Sequence, residues 1–241
     1  MQLKNLDSTS SPHDWDNKWS SIFDNYQQDL RHAHYIRAVL KSNENRILEI
    51  AAGSFRDMAL LRRNGLNSYG IDFSSESVAR AKANFPDFSE FIRQDSAFNL
   101  NYSENFFDVS YHNGFWVLFS DDQIQKLAKE QARVTKKRMM VTVHNAHNTE
   151  FAAYFDKKKE NDPLFDVRFF QQKEIFDLMQ ETCDDITVIP VGKGKRLYED
   201  WLIKMGWTQP TLLKTCLNLC GTRLLEKSER LLCIGTPRKQ R

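Results

Sequence analysis

The chain has 241 residues, of which 41% are hydrophobic and 27% charged, with a formal net charge of +2. This composition suits one α/β domain with an insertion or a small cap, and it excludes a low-complexity or mostly disordered chain. No run of about 18 apolar residues occurs, so we expect no transmembrane helix. The polar N-terminus lacks the apolar stretch of a secretory signal. The four cysteines form no CxxC pair, which favours free thiols and a cytoplasmic location.

The charge is unevenly distributed along the chain. Residues 192–241 contain 11 Lys and Arg against 4 Asp and Glu, a balance of +7, and the remainder contains 23 against 28, a balance of −5. A basic segment of this kind can meet an anionic substrate, a nucleic acid or a membrane surface. An ordinary solvated surface explains it more simply, and we favour that interpretation.

The N-terminal part divides into a lead and a helix. Residues 1–13 are polar and predict a disordered lead, and a helical segment then extends over residues 14–40. Apolar residues recur there at spacings of three and four, which gives one apolar stripe: Trp15, Trp19, Ile22, Phe23 and Tyr26.

Residues 46–74 have the pattern on which the rest of the chain depends. An apolar run at 47–50 predicts a buried parallel strand, a turn of small residues follows, and a helix over 58–64 leads to a second strand at 68–71. A turn without bulky side chains lets a ligand lie against bare backbone at a helix N-terminus. The carboxylate that ends the second strand, Asp72, suits a pair of ribose hydroxyls.

The segments LEIAAGSFRD and GIDFS resemble the cofactor-binding signature of class I S-adenosylmethionine-dependent methyltransferases. The first motif of that family reads acidic-x-(Gly/Ala)-x-Gly-x-Gly. The chain supplies Glu49, Ala51 and Gly53, and Phe55 stands where the third glycine is usual. The nicotinamide and flavin pattern G-x-G-x-x-G and the Walker A lysine are both absent from this segment, which argues against a dehydrogenase and a P-loop protein.

The resemblance assigns roles around this turn. It implies S-adenosylmethionine as the cofactor, with Glu49 at its amino-acid end and Asp72 at its ribose. Phe73 would pack on the adenine, and Phe55 would narrow or cap the pocket. The N-terminal helix would lie over the site, so that Trp19 and Tyr26 contact the substrate.

The later elements continue the resemblance in chain order. A helix over 74–85 and a strand over 89–94 lead to Asp95 and Ser96, which the family places at the adenine amino group. A strand over 107–112 then ends beside the transferred methyl group, where we expect His112, Asn113 and Phe115. A histidine pair common in relatives is replaced by valine and leucine at positions 117 and 118.

The fifth strand, at 138–144, brings two more histidines to the sheet edge where open α/β proteins bind ligands. Histidine is suited to accept a proton near neutral pH. For a hydroxyl acceptor we therefore take His144 as the first choice of general base and His112 as the second, and we place His147 at the substrate. Loop-anchoring is the alternative role for these histidines. No metal ion is expected.

The remaining segments complete the predicted fold. An irregular stretch at 151–168 precedes a helix and a sixth strand at 186–191, and the last strand, at 229–235, is set antiparallel. The resemblance implies a three-layer α/β sandwich with a seven-stranded, mostly parallel, Rossmann-like sheet. We divide the single domain 14–241 into an N-terminal helical lid (14–45), a cofactor-binding core (46–191), an insertion (192–228) and a last strand (229–237).

Three functions remain open from the sequence. The first, which we favour, is methyl transfer to a hydroxyl or amine of a small molecule such as a sugar or lipid precursor. The second is methylation of nucleic acid or protein, which is supported only by the basic C-terminal segment. The third is a non-catalytic relative that binds or has lost the cofactor, suggested by Phe55. The oligomeric state and the role of 192–228 are left undetermined.

Overall fold

A central sheet of seven strands organises the protein. The computed structural model describes residues 12–160, 162, 165–192 and 198–238. The strands are β1 (Arg46–Ile50), β2 (Asn67–Asp72), β3 (Ile92–Gln94), β4 (Phe107–Asn113), β5 (Thr135–His144), β6 (Cys183–Val191) and β7 (Arg230–Pro237). Their order across the sheet is β3-β2-β1-β4-β5-β7-β6. The pairs on the β3 side of β5 are parallel, and β7 lies antiparallel to both β5 and β6. The predicted fold class is confirmed.

Helices cover both faces of the sheet. They are α1 (Pro12–Tyr26), α2 (Arg31–Val39), α3 (Arg56–Arg63), α4 (Ser75–Asn84), α5 (Asp121–Val134), α6 (Thr149–Lys158), α7 (Gln172–Gln180), α8 (Tyr198–Lys204) and α9 (Pro210–Cys220). Segments of 3-10 helix occur at Pro86–Phe91, Trp116–Leu118 and Gly221–Lys227. Within the described ranges, no helix is both long enough and apolar enough to cross a membrane.

The strand residues alternate between two cores, as the pleat of a β-strand requires. In β7, Leu232 and Ile234 pack on one face with side chains of α2, α8 and α9. Leu231 and Cys233 pack on the other face with side chains of α5 and α7. This alternation produces the three layers, because each face of the sheet buries its own set of apolar residues.

The N-terminal helix differs from the prediction of one segment over 14–40. The structure breaks it into α1 and α2 around residues 27–30. The Asp29 carboxylate accepts hydrogen bonds from the Arg31 backbone N–H (3.2 Å) and from Nε of the same arginine (2.8 Å). A side-chain acceptor just before a helix satisfies an otherwise unpaired N–H and favours a new helix start. The predicted lead, residues 1–13, falls outside the described residues except for positions 12 and 13.

The segment 192–228 contains helices that complete one layer of the sandwich. Leu213 and Leu217 of α9 are buried in the same core as Ile36 and Val39 of α2. The segment predicted as irregular, 151–168, begins with the helix α6, whose N-cap is Asn148. Its side chain accepts a hydrogen bond from the Phe151 N–H at 3.0 Å.

Candidate active site

A cavity of about 770 Å³ opens at the carboxyl ends of the parallel strands. Parallel α/β sheets bind ligands at this edge because the strand-to-helix turns open there. The cavity reaches from the turn after β1 to the start of β7, and its wall includes most of the predicted site residues: Trp19, Tyr26, Glu49, Ala51, Gly53, Asp72, Phe73, Asp95, Ser96, Asn113, Phe115 and His144. Three predicted residues, Phe55, His112 and His147, are not part of this wall.

The turn after β1 has a left-handed backbone at each position where the family motif has glycine or alanine. The φ angles of Ala51, Gly53 and Phe55 are 51°, 55° and 55°. Left-handed residues favour glycine because a Cβ approaches the following carbonyl. A Cβ at Gly53 would also lie 2.2 Å from a ring carbon of Trp19. The α1 helix therefore packs directly on the backbone of the turn.

The prediction that Phe55 narrows or caps the pocket is wrong. The Phe55 side chain is fully buried in a core cluster with Met58 and Ala59. It fits beside Gly70 of β2, where an added Cβ would lie 2.6 Å from its ring. The substitution of the third glycine thus changes the packing under the turn and leaves the cavity open.

Two buried carboxylates lie where the turn enters α3. An oxygen of Glu49 accepts a hydrogen bond from the Met58 N–H at 2.8 Å. Asp57 is 2% exposed and also lines the cavity. Burial, followed by the neighbouring Asp57 carboxylate, raises the pKa of Glu49 well above its usual range. A cation entering this end of the cavity would stabilise the ionised pair, since opposite charges attract strongly away from water.

Asp57 belongs to a buried hydrogen-bonded chain that sequence reasoning missed. One of its oxygens lies 2.7 Å from Nδ1 of His32, and Nε2 of His32 lies 2.9 Å from the Thr142 hydroxyl. The other oxygen, Oδ1, accepts no hydrogen bond from the described residues but forms an ion pair with Nε of Arg56 at 3.6 Å. Because Asp57 and Arg56 both line the cavity, this pair presents both charges to the two charged groups of an amino acid.

Asp72 forms hydrogen bonds to the turn after β1 and also lines the cavity. Its two oxygens accept hydrogen bonds from the N–H groups of Gly53 (2.8 Å) and Ser74 (2.9 Å). Burial raises the pKa of Asp72 to about 6. A carboxylate has about four acceptor positions, so it can still accept bonds from ribose hydroxyls. The residue therefore fixes the turn and keeps capacity for a ligand.

The side of the cavity predicted for the adenine is formed by the loop after β3. The oxygens of Asp95 accept hydrogen bonds from the N–H groups of Ser96 and Asn101, both at 2.9 Å. These bonds hold the loop in a fixed shape at the cavity wall, to which Phe73 also belongs. The arrangement leaves the outer lone pairs of the Asp95 carboxylate for an amino group.

The prediction of His112 as a base beside the methyl group is wrong. Its side chain is fully buried, and among the described residues neither ring nitrogen has a hydrogen-bond partner. The ring packs on Trp116, with centroids 5.2 Å apart. Burial, with a smaller effect of His32, lowers the pKa of His112 to about 3. Successive strand residues face opposite sides, so that Asn113 reaches the cavity wall and His112 faces the core.

His144 reaches the cavity wall and His147 does not. Nε2 of His147 accepts a hydrogen bond from the Gln172 N–H at 3.1 Å, which anchors the start of α7. His144 lies among Phe151, Phe155 and Phe169, with ring centroids 4.9–5.6 Å away. Burial, together with the positive charge of Arg230, lowers the pKa of His144 well below its usual range. The imidazole is therefore neutral at physiological pH.

Several wall residues were not predicted from sequence. Arg56 and Asp57 directly follow the motif, and their position just after the turn was an available signal. Arg230 begins the last strand. Because that strand is antiparallel, its first residue must lie at the carboxyl edge of β5, and this placement could have been inferred. The aromatic and apolar end of the wall comes from the segment considered irregular: Phe155, Phe165 and Val167.

These features fit S-adenosylmethionine at the level of residue chemistry. The two buried carboxylates and Arg56 suit the ammonium and the carboxylate of its amino-acid end, and Asp72 and Asp95 suit its ribose and adenine. Within the described ranges, no group of three or more His, Cys, Asp or Glu side chains could hold a metal ion. The strand order, the left-handed turn and the acidic strand ends are those of the class I S-adenosylmethionine-dependent methyltransferase fold.

Comparison with known proteins agrees with this class. Residues 48–142, the central part of the chain, match the methyltransferase domain family. These residues therefore form a methyltransferase domain, and the cofactor of such a domain is S-adenosylmethionine. No curated protein matches the chain by sequence.

Solved structures share the fold at low sequence identity. An S-adenosylmethionine-dependent methyltransferase of Thermotoga maritima, described as a possible histamine N-methyltransferase, has a TM-score of 0.61 and 18% identity over 92% of this chain and 94% of that one. A methyltransferase of Archaeoglobus fulgidus has a TM-score of 0.62 and 13% identity over 92% and 97%. The geranyl diphosphate C-methyltransferase of Streptomyces coelicolor A3(2), solved with S-adenosyl-L-homocysteine, has a TM-score of 0.55 and 10% identity over 99% and 88%.

Proposed function

We propose that the protein transfers a methyl group from S-adenosylmethionine to a hydroxyl or amine of a small molecule. The observation that carries the proposal is the shape of the cavity wall. One end consists of the motif residues assigned to the cofactor, and the same cavity continues past His144 to Phe155, Phe165 and Val167. This second end is mainly apolar and is covered by α6, which suits a small acceptor better than an extended polymer.

The cofactor supplies a methyl group made electrophilic by its positively charged sulfur. The residues of the protein orient the acceptor and exclude water, which accounts for much of the acceleration when two reactants are held together. The neutral imidazole of His144 can accept the proton that a hydroxyl acceptor loses. An amine acceptor that arrives unprotonated does not need this step.

The first test concerns Asp72. We expect calorimetric titration at pH 8, above the pKa of about 6, to show binding of S-adenosylmethionine and S-adenosylhomocysteine. The variant Asp72→Ala should bind each about 10- to 100-fold more weakly, because a hydrogen bond to a charged group contributes about 1.5–3 kcal/mol. Asp87→Ala, on the surface in the 3-10 segment Pro86–Phe91, is the control. Unchanged affinity in Asp72→Ala would remove this carboxylate from the site.

The second test concerns His144. We expect His144→Ala to keep the wild-type affinity for S-adenosylhomocysteine and to lower turnover on a hydroxyl acceptor about 10²- to 10⁴-fold, the usual contribution of general-base catalysis. An acceptor screen with radiolabelled S-adenosylmethionine and hydroxylated metabolites supplies the activity. His147→Ala is the matched control, since that side chain anchors α7 outside the wall. Equal turnover in the wild type and His144→Ala would assign His144 a structural role.

We also place the protein in the cytoplasm. Cys183 and Cys233 are buried and form no disulfide in the described part of the chain. Free thiols are typical of a reducing compartment.

A further inference from the structure

The acceptor end of the cavity contains an arginine that has no carboxylate partner. Arg230 lines the wall, and its Nη1 donates a hydrogen bond to the Asn113 side-chain oxygen at 3.3 Å. Among the described residues, no carboxylate oxygen lies within 4.0 Å of its guanidinium nitrogens. Burial lowers the pKa of Arg230, and the neighbouring Glu229 carboxylate partly offsets this effect.

Two other partly buried arginines are compensated. Arg31 pairs with Asp29, with Asp200 at 3.3 Å and with Glu229 at 3.8 Å. Arg138 pairs with the buried Glu44. A partly buried charge without a counter-ion is costly, so an anion supplied from outside the chain would stabilise Arg230.

The backbone leaves room for this guanidinium. Gly114 follows β4 with a φ of 74°, and a Cβ at this position would lie 2.8 Å from Nη1 of Arg230. In the sheet, Arg230 is the register partner of His144. The guanidinium therefore stands beside both the Asn113–Gly114 strand end and the proposed base.

We propose that the acceptor is an anion whose carboxylate or phosphate group is bound by Arg230. This inference rests on the proposed function and names its substrate class. Arginine presents parallel N–H donors that match both kinds of oxyanion. The neighbouring Phe155, Phe165 and Val167 suit an apolar or aromatic remainder of the same molecule. An acceptor held in this way would have its nucleophile next to His144.

The carboxylate of the cofactor is the alternative occupant. Arg230 begins β7, three strands from β1, but its guanidinium reaches the end of β4, the strand next to β1. A second cation argues against this occupant. Arg56, which also lines the cavity, stands at the β1 turn and is the cation nearer to that end.

The binding test uses simple probes. Protein saturated with S-adenosylhomocysteine is titrated with benzoate, phenyl phosphate and the uncharged benzamide, with ligand-observed NMR as the readout. We expect benzoate or phenyl phosphate to bind about 10- to 100-fold more tightly than benzamide, and we expect Arg230→Gln to abolish this preference. Comparison of the two anions distinguishes a carboxylate from a phosphate source.

Two further variants separate a local effect from general electrostatics. Arg230→Lys keeps the charge and should retain part of the preference. Arg93→Gln removes the same charge at an exposed position of β3 and should behave as the wild type. The affinity for S-adenosylhomocysteine should be unchanged in Arg230→Gln.

Each other result contradicts the inference in a distinguishable way. Equal binding of anions and benzamide, or an anion preference that survives Arg230→Gln, would overturn the anionic acceptor while leaving methyl transfer intact. Loss of S-adenosylhomocysteine binding in Arg230→Gln, with no anion preference in the wild type, would assign the arginine to the cofactor. If the wild type bound no S-adenosylhomocysteine, the proposed function would fail, and the same titrations on the free protein would still decide whether Arg230 binds anions.

Discussion

At the scale of single residues, the turn after β1 shows why the family motif calls for small residues at alternating positions. All three positions, 51, 53 and 55, have positive φ angles. Only Gly53 adopts this conformation without a steric penalty. Ala51 and Phe55 therefore carry backbone strain, and the burial of the Phe55 ring beside Gly70 offsets it.

This difference predicts opposite effects for two glycine substitutions. Ala51→Gly should raise the free energy of unfolding by about 1 kcal/mol, because it relieves a left-handed alanine. Phe55→Gly should lower it by about 3–5 kcal/mol, because the lost ring leaves a void that outweighs the relief of strain. Chemical denaturation of both variants measures these changes. A stabilised Phe55→Gly would show that strain, and not burial, dominates at this position.

At the scale of elements, sequence patterns predicted the sheet more completely than the side chains at its edge. The strands have apolar runs bounded by turn residues, so their positions and the antiparallel last strand followed from pattern and resemblance together. The His112 side chain could face the core or the cavity, depending on the exact register at the end of β4. A short apolar run does not define this register. The break between α1 and α2 involves a local hydrogen bond from the Arg31 N–H to the Asp29 carboxylate. Hydrophobic periodicity does not reveal a contact of this kind.

The pairing of Arg230 with His144 needed the complete topology. The two residues are 86 positions apart in the chain, and only the insertion of β7 between β5 and β6 brings them together. The cofactor end was predictable because its residues are close in sequence, Glu49 to Asp72. The acceptor end was not, because its wall draws on β4, β5, β7 and the segment around α6.

The buried chain Asp57–His32–Thr142 joins three elements, α3, α2 and β5. We expect His32→Ala to lower the free energy of unfolding by at least about 2 kcal/mol, because it leaves the Asp57 carboxylate buried without its partner. His34→Ala is the matched control, since His34 is a buried histidine of the same helix whose Nδ1 has no hydrogen-bond partner in the described part of the chain.

The double variant His32→Ala/Asp57→Asn completes the test of this chain. If the pair is energetically coupled, the double variant should be less destabilised than the sum of the single variants, by about 1 kcal/mol or more. Additive effects of the two substitutions, or equal losses in His32→Ala and His34→Ala, would show that the histidine contributes packing alone.

At the scale of the whole molecule, the question is whether residues 192–228 are an appendage or part of the domain. Leu213 and Leu217 of α9 are buried in the core shared with α2 and the sheet. The opposite side of the segment remains exposed at Trp201 and Trp207. We propose that the segment folds together with the rest as one cooperative domain, because the apolar face of the sheet under α2, α8 and α9 is covered only when they are in place.

Two adjacent leucines test this proposal. Leu213→Ala should lower the free energy of unfolding of the whole chain by about 2–5 kcal/mol, the usual cost of removing a buried leucine. Leu212→Ala, at a side chain that is 40% exposed, should cost less than about 1 kcal/mol. Far-UV circular dichroism and tryptophan fluorescence should report one coincident transition, since two of the five tryptophans, Trp201 and Trp207, lie in the segment while most helices lie outside it. A fluorescence transition that precedes the loss of helix, shifted alone by Leu213→Ala, would show that the segment unfolds independently and that the core is stable without it.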